Sequence, residues 1–207
     1  MPVILLTGFG PFDGATRNPS ADAVEAVAAG YDGPHTLVAE TLPVSFARSA
    51  ARLRELAEEH RPDAVIATGL AGGSTRVAVE RVAVNLMDAR IPDDDGAQPV
   101  DRPSEEGGPA ARFATLPVKR IVRELQDAGI PSHASLSAGS YVCNHVFYTA
   151  LSAAPGARAG FVHLPWSTST APDGATALPD VELLRAVRIV VDHVFDDEER
   201  TAGGSIW

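Results

Sequence analysis

The sequence of 207 residues contains one cysteine, Cys143. It stands behind a strand-like stretch, Ser132-His133-Ala134-Ser135-Leu136-Ser137, and a turn at Ala138-Gly139-Ser140, where a helix is expected to begin. A thiol at a helix N-terminus sits at the positive end of the peptide dipoles and beside unpaired backbone N–H groups. Both favour the thiolate, and the amides could stabilise an oxyanion. The plainer alternative is a small buried apolar residue, the commoner fate of a single cysteine. Position alone does not choose between them. One cysteine does exclude an intramolecular disulfide and a four-cysteine zinc site.

A thiolate nucleophile needs a base, and the histidines available are His35, His60, His133, His145, His163 and His193. His145 is nearest in sequence, but two residues along a helix turn a side chain through about 200°, away from Cys143. His163 is better placed. It lies in the apolar run Phe161-Val162-His163-Leu164 ahead of Pro165, at the C-terminal end of an expected strand, where open α/β sheets gather their ligands. A satisfied core histidine is the alternative for this residue. His60 and His193 fall in helices and read as surface or capping residues. The imidazole in turn needs an orienting group. Within 76–84, a period of two sets Glu80 on one face with Ala78, Val82 and Val84. A carboxylate on an apolar strand face must be paired, so Glu80 is either functional or bridged to an arginine such as Arg76. Asp93-Asp94-Asp95 and Glu105-Glu106 stand in a long acidic stretch and are expected to be solvated.

Two glycine turns, Gly8-Phe9-Gly10-Pro11-Phe12 and Gly69-Leu70-Ala71-Gly72-Gly73, each follow an expected strand. Neither continues into the Gly-Lys-Ser/Thr of a phosphate loop, and Pro11 and Phe12 break the dinucleotide spacing. They suit a close approach of backbone to a small ligand, with Phe9 and Phe12 as flat apolar walls.

Those residues need a scaffold. Apolar runs at 2–7, 36–41, 63–68 and 159–164 predict strands, with a partly exposed strand over 76–84 and a short one over 133–137. Helical spacing predicts helices from Ser20 to Gly30, from Ser45 to Arg61-Pro62, over 117–128, from near Cys143 to Ala153, and over 180–196. The stretch 88–113, acidic and rich in Gly and Pro, is expected to be a long loop of the functional or mobile kind. Strands alternating with helices predict an α/β fold, a mostly parallel twisted sheet with helices on both faces, in a single domain spanning 1–207. Lys plus Arg number 17 against 27 Asp plus Glu, a formal net charge of −10, which argues against nucleic-acid and anionic-membrane partners. No apolar stretch approaches the roughly 20 residues of a membrane helix, and the first residues lack the basic start of a signal peptide. A cytoplasmic location, where the thiol stays reduced, is expected.

Taken in order, GFGPF (8–12), NPS (18–20), GLAGG (69–73), ERVAVNLMDARIPD (80–93), AGSYVCNHVFY (138–148) and GFVHLP (160–165) resemble the type I pyroglutamyl peptidases over nearly the whole chain. The resemblance implies a three-layer α/β/α sandwich and a cysteine peptidase that removes N-terminal pyroglutamate from peptides. It further implies a Glu–Cys–His triad, no metal or cofactor, and assembly as a homotetramer. Carried over by motif, the triad is Glu80, Cys143 and His163, the residues singled out above. Phe9 and Phe12 match aromatics lining the pyroglutamyl pocket, and Arg90 matches an arginine beside the active site. Asn18, Leu70 and Val142 complete the implied substrate-binding set. Ser74 stands where the family carries an arginine, with Arg76 two places later. Two readings from other classes compete. A binding module that has lost turnover would show no burst of product, and a nucleoside- or phosphate-binding enzyme on a similar sheet would be indifferent to thiol alkylation.

Overall fold

Alternation along the strands decides the architecture. In β1 (Val3–Phe9), Ile4 and Leu6 face one side and Leu5 the other, and all three are buried. A strand apolar on both faces must be covered on both. In the computed structural model, which describes residues 1–202, helices supply that cover. The last five residues of the expected 1–207 domain lie outside the described residues. After β1 come α1 (Pro19–Ala29), β2 (Thr36–Leu42), α2 (Phe46–His60), β3 (Ala64–Leu70), β4 (Val77–Glu80), β5 (Val82–Val84) and β6 (Ala111–Phe113). They are followed by α3 (Val118–Asp127), β7 (Ser132–Ser135), α4 (Val142–Ala153), β8 (Arg158–Leu164), β9 (Trp166–Ser167), β10 (Ala177–Leu178) and α5 (Asp180–Asp192).

Six strands form the central sheet in the order β2-β1-β3-β8-β4-β7. The first four run parallel, β4 meets β8 antiparallel, and β7 runs parallel to β4. α1, α3 and α5 cover the face that carries Ile4, Leu6, Ile66, Val79 and Val162. α2 and α4 cover the face that carries Leu5, Val65, Ala67 and Phe161. The mostly parallel sheet and the α/β/α layering expected from the sequence are both present. Among the described residues, no helix is long and apolar enough to cross a membrane.

The structure departs from expectation in three places. Helix α1 starts at Pro19, one residue earlier than expected: Asn18 is the N-cap, and its Oδ1 accepts from the Ser20 amide at 3.1 Å. Pro19 then takes the first helical position, where a missing N–H costs nothing. The strand expected over 76–84 breaks at Arg81. β4 is wholly buried between β8 and β7, while β5 leaves the sheet and pairs antiparallel with β6 in a separate ribbon. Glu80 therefore shares its face with Ala78 but not with Val82 and Val84. Period-two alternation runs on across the break and cannot reveal it.

The third departure is the acidic stretch, which is tied down by hydrogen bonds rather than free. Asp94, Asp95 and Glu106 are exposed as expected, but Asp93 is buried. Met87 and Arg102 exchange backbone hydrogen bonds at 2.6 and 3.0 Å, and Glu105 pairs with Arg112 at 3.0 Å. Asp93, only 6% exposed, accepts from the amides of Phe46, Asp95 and Ala97 at 2.8–2.9 Å. Asp94 accepts from the Val44 amide at 3.2 Å, and Asp95 accepts from Ser45 Oγ at 2.6 Å and pairs with Arg48. The three carboxylates gather at the N-terminus of α2, where free amides and the helix dipole favour negative charge.

Candidate active site

Gly69, His163 and Ala78 lie abreast on β3, β8 and β4. Alternation turns His163, with Phe161, toward the α2–α4 layer, and turns Val162 and Leu164 to the other face. Glu80 stands opposite Phe161 and one diagonal step from His163, a separation that long side chains bridge. Its Oε1 lies 2.8 Å from His163 Nδ1. Glu80 is 1% exposed and His163 8%, so a charged carboxylate here requires a partner. That partner is His163 rather than Arg76, which closes a turn with Ser74. With Nδ1 held by the carboxylate, Nε2 is the nitrogen left for the thiol. Burial alone favours neutral imidazole. The Cys143 side chain, and then Glu80, act on the ring through hydrogen bonding and charge, more than offset that burial, and raise His163 to about 9.

Cys143 is the second residue of α4. The N-cap, Tyr141, is extended and offers no side-chain acceptor, and the first intrahelical bond runs from His145 N to Tyr141 O at 3.2 Å. The amides of Val142, Cys143 and Asn144 come before that bond and have no intrahelical acceptor. The thiol rests on β3. A Cβ at Gly69 would stand 2.9 Å from Cys143 Sγ and 2.8 Å from the Phe161 ring, so glycine is required beneath it.

Two residues that sequence reasoning missed hold this helix start in place. Asn144 is fully buried; its Oδ1 accepts from Val84 N at 2.9 Å, and its Nδ2 donates to Val84 O and Leu86 O. Ser140 Oγ donates to Asp88 O at 2.8 Å, and Asp88 N returns a bond to Ser140 O. The available signal was a polar amide in the first turn of a largely apolar helix, directly after the cysteine.

A cavity of about 430 Å³ opens beside Cys143. Phe9, Phe12, Asn18, Leu70, Arg90 and Val142 all line it, together with Tyr141, Arg17 and Trp166, which the sequence did not single out. Asn18 also holds the wall in shape, donating from Nδ2 to Gly10 O at 2.9 Å. Tyr141 packs 5.7 Å from Phe12 and 5.3 Å from Phe46, and its hydroxyl donates to Pro92 O. Burial, reinforced by Asp93 and Asp94, pushes that hydroxyl up to about 12. A second depression of about 540 Å³, between Arg54, Glu58, Glu105 and Arg112, is lined by neither a thiol nor an imidazole. His145 packs on Phe46; burial and then Arg54 lower it to about 4, which leaves it neutral and off the site. No group of three His, Cys, Asp or Glu side chains among the described residues is placed to share a metal ion.

A thiol, an imidazole and a carboxylate beside a pocket at the carboxyl edge of an open sheet are the equipment of an α/β cysteine peptidase. The whole chain narrows that class: residues 2–196 match the family described as pyroglutamyl peptidase, and the protein belongs to that family of hydrolases. It is similar to the pyrrolidone-carboxylate peptidase of Clavibacter michiganensis subsp. michiganensis, with 52% identity over 174 residues, 83% of this chain and 82% of that one. Among solved structures it resembles the pyroglutamyl peptidase I of Bacillus amyloliquefaciens, with 41% identity, a TM-score of 0.92, and coverage of 98% of this chain and 100% of that one. The pyrrolidone carboxyl peptidase of Thermococcus litoralis is similar at 37% identity and a TM-score of 0.90, over 95% of this chain and 94% of that one.

Proposed function

We propose that this protein hydrolyses the amide bond after an N-terminal pyroglutamyl residue and releases free pyroglutamate, with Cys143 as nucleophile, His163 as general acid and base, and Glu80 as its orienting partner. The observation that carries the reading is the buried 2.8 Å contact between Glu80 and His163 Nδ1, which leaves Nε2 for the thiol at the start of α4. The Cys143 thiolate attacks the pyroglutamyl carbonyl carbon. The resulting oxyanion meets the free amides of the first turn of α4, with Arg90 nearby on the cavity wall. His163 gives its proton to the leaving amine as the C–N bond breaks, leaving a thioester on Cys143. The now neutral imidazole takes a proton from water, which attacks the thioester, and the thiolate departs.

Pyroglutamate is a neutral lactam, so its ring carbons need apolar walls and its N–H and C=O need partners. Phe9, Phe12 and Val142 suit the ring, and backbone groups of the Gly69–Gly73 turn suit the polar atoms. Proline lacks the lactam carbonyl and brings a charged amine. A site built to hydrogen-bond a missing group rejects the analogue by roughly 10⁴ or more, so prolyl amides are expected to be nearly inert. The reading takes residues 1–207 as one domain. Assembly as a homotetramer without cofactor belongs to it on the family resemblance alone, and a cytoplasmic location on the lone thiol and the composition.

The test is hydrolysis of a fluorogenic pyroglutamyl amide with and without iodoacetamide. Cleavage abolished by alkylation supports the reading; cleavage indifferent to it removes Cys143 from the mechanism.

A further inference from the structure

The cavity is larger than a lactam requires. A volume of about 430 Å³ falls in the range that encloses a drug-sized ligand, so room remains beyond the ring. Contacts gather the lining into two groups. In one, Phe12 and Tyr141 pack together beside Val142 and Cys143. In the other, Trp166 of β9 lies against Gly72, where a Cβ would meet its Nε1 at 2.8 Å. Arg17 reaches this second group from the turn before α1, its guanidinium 3.4 Å from Ser169 Oγ. Asp22 holds the same group at 3.0 Å, and Ser169 is itself bonded to Asp180. These contacts hold Arg17 near the mouth with its side chain still 54% exposed. A guanidinium has five donors, so two partners leave some free.

Charge points the same way. The chain carries 27 acidic residues against 17 Lys and Arg, yet the cavity is lined by two arginines, Arg17 and Arg90, and one carboxylate, Asp13. Asp22, paired with Arg17, brings the charges at the mouth into balance. On an acidic protein this is a place where an anion meets little repulsion and finds a guanidinium with donors to spare. The pyroglutamyl group is neutral and gives a cation nothing to bind. The residue after the scissile bond does, through its own C-terminal carboxylate in a dipeptide or through an acidic side chain.

We propose that Arg17, with Trp166 as its apolar floor, forms a subsite for the leaving residue that selects pyroglutamyl substrates whose next residue presents a carboxylate. The inference rests on the peptidase reading above and names the class of substrate that reading leaves open. Arg17 acts here on specificity and takes no part in the bond-breaking steps.

The experiment compares kcat/KM on two matched pairs, in the native protein and in Arg17→Gln. One pair is pyroglutamyl-alanine as free acid and as C-terminal amide; the other is pyroglutamyl-glutamate amide and pyroglutamyl-glutamine amide. The native protein is expected to favour the anionic member of at least one pair by about fivefold at low salt, the size of an exposed ion pair, mainly through KM. That ratio should fall toward one in Arg17→Gln and shrink as salt rises. A preference confined to the first pair assigns the carboxylate to a short peptide's C-terminus, and one confined to the second assigns it to an acidic side chain. Ratios of one in both native pairs, or a ratio that survives both Arg17→Gln and molar salt, overturn the proposal. The salt dependence of the native protein decides the matter even where the variant folds poorly, and Arg17→Lys should retain part of the preference. A native protein inert on every pyroglutamyl substrate overturns the peptidase reading beneath, a failure distinct from flat ratios.

Discussion

Two helix N-termini on the same side of the sheet are finished in opposite ways. At α2, Ser45 Oγ accepts from Arg48 N at 3.1 Å, Asp93 accepts from Phe46 N at 2.9 Å, and Asp95 holds the Ser45 hydroxyl. At α4, the N-cap Tyr141 supplies no acceptor, and the helix is pinned instead through Ser140 and Asn144. The same orphan amides and the same dipole are used for stability at one end and left open beside a thiol at the other. Capping the start of α4 would place an acceptor where the proposed oxyanion must sit. Its anchors therefore lie just outside the first amides, and sites of this kind put off the stability that a cap gives elsewhere.

The sharpest way to break the comparison is at the thiol. Cys143→Ala should reduce turnover of a pyroglutamyl amide to background, a loss of several orders of magnitude, while the urea midpoint stays close to native. Alanine suits the same helical position, and the α4 anchors do not involve the sulfur. Turnover above about a hundredth of native would place the nucleophile elsewhere.

Next comes the carboxylate. Glu80→Gln keeps shape but removes the charge that holds the imidazolium and selects its tautomer, so kcat should fall by about 10²–10⁴. The pH profile carries a sign. His163 is raised to about 9, so the protonated ring that must donate to the leaving amine persists up to that pH, and kcat/KM falls above it. Glu80 is one of the two side chains that raise it. Its removal should move the alkaline limb of kcat/KM to lower pH. A limb that stays in place, or moves up, would detach Glu80 from the imidazole.

At α2 the expected effect is on folding. Asp93→Ala removes a buried carboxylate from three backbone amides and should cost about 2–3 kcal/mol in a urea melt. No comparable substitution exists at the start of α4, because no side chain caps it. A loss below about 0.5 kcal/mol would mean that water satisfies those amides equally well, and the contrast between the two helices would lose its structural half.

What could be read in advance follows this same division. The four parallel strands β1, β2, β3 and β8, the helix starting near Cys143 and the position of His163 rest on periodicity and turn chemistry within a few residues, so they were legible. The role of the aspartates was not. Asp93 and Phe46 are 47 positions apart, and nothing local distinguishes a carboxylate that caps a distant helix from one facing water. Glu80 was suspected as a costly charge on an apolar strand, but its partner is fixed by the antiparallel register of β4 on β8, which no single strand encodes. Arg17, Tyr141 and Trp166 escaped notice because they converge only when three separate loops meet at the cavity.

The smallest effect belongs to the far end of α2, well away from any chemistry. Arg61 closes that helix in the left-handed region at φ 44°, ψ 58°, its N–H bonded to Ala57 O. The side chain is exposed, so the backbone decides the outcome. A residue with a Cβ gives up about 1 kcal/mol in this conformation, and glycine does not. Glycine also loosens the unfolded chain, which returns roughly half of that gain. Pro62 limits this return, since a residue before proline is already restricted when unfolded. Arg61→Gly should therefore raise stability by about 0.5 kcal/mol and leave kcat/KM as it is. Arg61→Ala is the control: it keeps the Cβ and the strain, so it should bring no gain. If the alanine variant proves the more stable of the two in urea, the strain at this cap is smaller than the entropy that glycine adds, and α2 has already been optimised at both of its ends.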